Sequence, residues 1–96
     1  MHTRAEASSL ESPAAPRIGD SVFAQDGELG RVERVVTSER FEPAFLVVSV
    51  RRLARRRHPV VPWSLVRAVD RTRDRIYLRG PRRSLGRLSE SVPIVL

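Results

Sequence analysis

Between Ala44 and Val50 the residues Ala44, Leu46, Val48 and Val50 alternate with Phe45, Val47 and Ser49, so an extended chain here carries apolar side chains on both faces. A run of that kind has to be buried within a sheet. From Ile18 onward the other apolar residues come in short groups separated by turn residues, and nowhere does an i, i+3, i+4, i+7 pattern persist as an amphipathic helix would require. The chain is expected to be all-β.

The strands can be placed from their punctuation. Ser21 to Gln25 forms a first short strand, Asp26-Gly27 supplies the positive-φ chemistry of a hairpin turn, and Gly30 to Thr37 returns. Val32 and Val35 are three apart, an odd step for a period of two, which predicts a bulge near Glu33-Arg34. Ser38 to Pro43 is a polar break before the apolar run. The arginine-rich stretch Arg51 to Arg57 then reads as a connection, followed by a short strand from His58 to Val61 and a turn at Pro62-Trp63-Ser64 containing one helical turn. Leu65 to Asp70 and Asp74 to Arg79 complete a last hairpin around Arg71-Thr72-Arg73.

Six short strands in about sixty residues are too few for a two-sheet sandwich, and they predict a small closed or nearly closed six-stranded β-barrel filled by its own side chains. A barrel of this kind holds no substrate cavity. Residues 1–16, rich in Ala, Ser, Pro and Glu, are expected to be a disordered tail. Residues 17–79 form the domain, and residues 80–96 a basic linker with an apolar end that packs back on the barrel.

The order of short motifs resembles the PRC-barrel family. It is carried by Gly19-Asp20-x-Val22, Asp26-Gly27-x-x-Gly30-Arg31-Val32, the β run ending at Val50, Val60-Val61-Pro62-Trp63, Val66 with Val69-Asp70, and Asp74-x-Ile76-x-Leu78, over residues 18 to 79. What the resemblance implies is a small β-barrel acting as an assembly or interaction module, in some members next to ribosomal RNA.

The charge of +7 is unevenly distributed. Residues 1–50 hold five arginines against eight acids, while residues 51–96 hold thirteen against Asp70, Asp74 and Glu90. Segregation on this scale points to an anionic partner. All 18 basic residues are arginine, whose planar fork grips carboxylate or phosphate oxygens bidentately. The expected partner- or anion-binding residues are Arg51, Arg52, Arg55, Arg56, Arg57, Arg82 and Arg83, supported by Arg67, Arg79 and Arg87. The competing reading is a solvated loop that keeps a small barrel soluble.

Other chemistries have little to work with. There is no cysteine, and the only histidines are His2 and His58, so neither a catalytic metal nor a zinc site is expected. His58 lies between an arginine and a proline with no nucleophile motif, Gly27-x-x-Gly30 joins two strands instead of opening a helix, and no phosphate-loop motif occurs. No enzyme activity and no cofactor are expected. The first 17 residues lack the apolar core of a signal peptide, and the longest apolar stretch is far short of the ~20 residues that span a bilayer, so a cytoplasmic location without membrane insertion is expected. Trp63 reads as a core plug in preference to a stacking platform for a base, and Tyr77 with Phe23 or Phe45 are the other candidates for exposed aromatics, among which the sequence does not choose. The first partner expected is a protein, the second is RNA or DNA bound without sequence preference, and open strand edges allow a homodimer.

Overall fold

A computed structural model describes residues 15–52 and 55–93. The tail expected for residues 1–16 therefore lies, up to residue 14, outside the described residues, as does the end of the chain from residue 94. The described chain is mostly β. It runs through β1 (Ser21–Ala24), β2 (Gly27–Thr37), β3 (Pro43–Arg52), β4 (Arg55–Arg57), β5 (Val60–Pro62), a 3₁₀ turn (Trp63–Leu65), β6 (Val66–Asp70), β7 (Arg75–Leu78) and the single helical turn α1 (Arg82–Leu85). No helix among the described residues is long and apolar enough to cross a membrane.

The strands form one sheet. β2 pairs antiparallel with β1 and with β3, β6 pairs antiparallel with β7, and β1 joins the two groups by a parallel ladder to β7. β4 and β5 lie one after the other along the free side of β3, with Val50 opposite Arg57 and Leu46 opposite Val61. The arginine-rich stretch is thus not a connection: Arg55 to Arg57 folds back on Val50 to Arg52 as a hairpin.

Period-two alternation decides the faces. Val22, Val32, Leu46, Val48, Val61, Ile76 and Leu78 converge in one cluster, and Trp63 packs against its side. The anticipated bulge occurs where β2 slips between Val32 and Arg34. Gly27 takes φ of +139°, a conformation that makes the tight return from β1 possible. At Gly30 a Cβ would lie 2.1 Å from the carbonyl oxygen of Ser49, so β2 and β3 approach there only because the residue has no side chain.

The sheet curls around this cluster but does not close into the expected barrel. β4 with β5 forms one edge and β6 the other, and no ladder joins them among the described residues. β5 is only three residues long and ends at Pro62, which has no N–H to donate. The chain then enters the 3₁₀ turn, so β5 and β6 diverge before a ladder can form. The expected linker also proves to be structured. α1 places Leu85, 3% exposed, into the core, and the Ser89 carbonyl accepts from the Val60 N–H at 2.8 Å, so the segment after β7 caps the open end.

Candidate anion-binding cleft

Two arginines fix the segment after β7 to the sheet. Arg57 stands opposite buried Val50 at the end of the ladder, and its guanidinium reaches over the segment beyond α1. It donates to the carbonyls of Gly86 and Leu88, the latter at 3.3 Å, and lies 3.2 Å from Glu90 Oε2. Glu90 Oε1 in turn accepts from the His58 N–H at 2.8 Å. These contacts hold the Glu90 carboxyl below its ordinary value of 4.5, the His58 amide first and the Arg57 side chain second. At the start of α1, Asp26 Oδ1 accepts from the Arg82 N–H at 2.8 Å and lies 3.6 Å from Arg82 Nε. That backbone bond is the main reason the Asp26 carboxyl is lowered from 3.8.

Between the β1–β2 turn, the β3–β4 hairpin and α1 a cleft of about 370 Å³ remains. Its floor is apolar, from Leu29 and Val50, and its rim carries Arg51, Arg57, Arg82, Arg83 and Arg87 beside Asp26 and Glu28. Arg57 and Arg82 have acidic partners. Arg51, Arg83 and Arg87 are exposed and have none among the described residues. The rim therefore keeps a positive excess over the single unpaired carboxylate of Glu28.

The expected binding residues do not all share this cleft. The structure gathers Arg51, Arg57, Arg82 and Arg83 there, together with Arg87, one of the expected supporting residues, and uses Arg57 and Arg82 as clasps. Arg56 instead faces a shallower depression next to Arg51, with Nη1 3.4 Å from Ser49 Oγ. Arg55 is exposed, and its ladder partner is Arg52. The hairpin thus sets Arg51 opposite Arg56 and Arg52 opposite Arg55. The exposed Arg51 and Arg56 side chains are like charges across the ladder, which repel, and a bound anion would relieve that cost.

His58 pairs with Glu33 across the sheet, Nδ1 to Oε1 at 2.6 Å. Among the described residues no group of His, Asp or Glu is arranged to hold a metal ion. One pair of aromatic side chains could not be singled out from the sequence. Phe23 and Tyr77 are ladder partners on the outer face, their ring centroids 5.8 Å apart. Arg75 lies 4.6 Å from the Phe23 centroid and Arg67 5.6 Å from that of Tyr77. The parallel pairing of β1 with β7 and the antiparallel pairing of β6 with β7 together assemble these four. No protein-family model and no curated protein matches the chain.

Proposed function

We propose that this chain is a non-enzymatic interaction module, PRC-barrel-like in its motifs, that holds an acidic protein segment in the arginine-rimmed cleft. The observation that carries the reading is the trio Arg51, Arg83 and Arg87, exposed and without acidic partners among the described residues, above an apolar floor held in place by the Arg57 and Arg82 clasps. A folded protein gains little from leaving such a rim uncompensated. A ligand presenting carboxylates beside an apolar group satisfies both parts of the site. The test is titration with poly-L-glutamate at low and high salt. Binding should weaken with salt and fall at least tenfold in an Arg83→Glu/Arg87→Glu double variant that keeps its β-sheet spectrum; binding unchanged by that variant would remove the cleft from consideration.

A second reading, single-stranded RNA or DNA on the outer face, is favoured by the Phe23–Tyr77 pair flanked by Arg67 and Arg75. Bases stack on aromatic rings without sequence preference, and loss of such a ring costs about 1–3 kcal/mol per base. Oligothymidylate binding that falls by one to two orders of magnitude in Tyr77→Ala, with a log–log salt slope of roughly −0.7 per phosphate contacted, would establish this surface.

A further inference from the structure

The turn between β2 and β3 breaks a local rule. Ser38 N–H donates to the Glu42 carbonyl at 2.8 Å and Phe41 N–H to the Ser38 carbonyl at 2.9 Å, while Ser38 Oγ accepts from the N–H groups of Arg40 and Glu42 at 3.2 and 3.4 Å. This bonding fixes Phe41 at φ +60°, a left-handed position normally given to Gly or Asn. The side chain is also 86% exposed. Phe41 therefore opposes the backbone conformation of its own turn and contributes almost nothing to the core. Neither local propensity nor packing explains a phenylalanine at this position, whereas contact with a partner does.

The turn and the cleft lie at opposite ends of the β2–β3 ladder. From Leu29 to Thr37 the strand rises by roughly 25–30 Å, so within one copy the two ends cannot meet. They are complementary in kind. The turn presents an aromatic ring between the exposed carboxylates of Glu39 and Glu42, and the cleft presents an apolar floor below Arg51, Arg83 and Arg87.

We infer that Phe41 of one copy enters the cleft of a second copy, with Glu39 and Glu42 set against the rim arginines. The inference rests on the reading that the cleft holds an acidic protein segment, and it names that segment. The contact joins two different surfaces, so it closes into a ring, the smallest being a reciprocal pair, or propagates head to tail into an open chain of copies. Its ionic part is screened by salt, and its aromatic part supplies the anchor.

Sedimentation velocity over a range of concentrations tests the proposal. At low salt the chain should self-associate as concentration rises, and high salt should reverse the association. Phe41→Gly should weaken association at least tenfold while leaving the melting temperature equal or higher, because glycine accepts the positive φ. Arg83→Glu/Arg87→Glu should also be monomeric. Mixed together, these two variants should form a 1:1 complex and stop, since one supplies only an intact cleft and the other only an intact turn. A wild-type chain that stays monomeric, association that survives Phe41→Gly, or a mixture that fails to combine would overturn the inference. Poly-L-glutamate separates the two levels: if it still binds the wild-type cleft and is lost in the arginine variant, the cleft reading stands and only the self-association fails. If it does not bind, both fail.

Discussion

Arg71 and Asp20 form an ion pair between segments far apart in sequence, Nη2 to Oδ1 at 2.6 Å, and Asp20 is only 3% exposed. The guanidinium lies beside the carboxylate without aiming an N–H at it, for neither Nε nor Nη2 makes a directed hydrogen bond. Asp20 Oδ2 also accepts from the Arg17 N–H at 2.8 Å, and Arg71 Nη1 donates to the Ala15 carbonyl at 3.1 Å. The pair therefore ties the entry to β1 to the β6–β7 turn, next to the parallel ladder. Asp20→Ala should lower unfolding stability by about 2–4 kcal/mol in urea, because it leaves a largely buried guanidinium with only the exposed and more distant Asp74 carboxylate, 3.6 Å away, as counter-charge. Adding Arg71→Met should recover part of that loss. A double variant as unstable as the single would show that the pair does not act through charge.

The three lowered carboxylates predict an acid limb with a definite sign. Asp26 and Glu90 are lowered by the contacts described above, and Asp70 is lowered first by the Arg73 side chain, 3.0 Å away, and then by the Arg73 amide. A carboxyl whose pKa is lower in the folded state contributes stability above its ordinary value, and that contribution is lost as pH falls through the lowered one. Stability should therefore be level near neutrality and decline once pH drops below the ordinary values of 4.5 and 3.8. In Asp26→Asn/Glu90→Gln the decline should be shallower, the gap to wild type closing as pH falls. Thermal melts across this range check it, and parallel curves would refute the assignment.

Gly30→Ala should cost more than the ~1–3 kcal/mol of ordinary overpacking, because the added carbon would lie 2.1 Å from backbone and not against a movable side chain. Loss of cooperative melting is the expected result. Near-wild-type stability would mean that β2 and β3 are less closely apposed at Ser49.

Leu85 is the one α1 side chain that enters the core, so Leu85→Ala should lower stability by about 2–3 kcal/mol. It should also loosen the wall that carries Arg83 and Arg87. Amide exchange should accelerate at the Val60 and His58 N–H groups, which donate to Ser89 and Glu90, more than in β2 and β3. Uniform acceleration would place α1 inside the cooperative core.

The features legible in the sequence are those set by near neighbours. The three-residue step from Val32 to Val35 announced the bulge, Asp26-Gly27 the first turn, and Pro62-Trp63 the 3₁₀ turn. β4 was hidden because Arg55 to Arg57 has no apolar alternation, and the preceding Leu53-Ala54 carries none of the Gly, Asn or Asp that marks a tight return. Closure could not be judged from strand number, since it depends on whether β5 is long enough to reach β6. The cleft draws on residues near 28, 50 and 82, and a sequence does not distinguish Arg57, held by three backbone and carboxylate partners, from Arg83, which is exposed. Phe41 did leave a trace, as the lone aromatic in the polar stretch from Ser38 to Pro43, but its meaning needed the backbone angle.

The parallel ladder between β1 and β7 also bears on how the chain is made. During vectorial synthesis on a ribosome, one flank of β1 stays unsatisfied until the residues up to Leu78 have emerged from the exit tunnel. Nascent intermediates that lack β7 therefore expose an open edge and the apolar side chains of Val22 and Ala24, the kind of surface that chaperones and proteases act on.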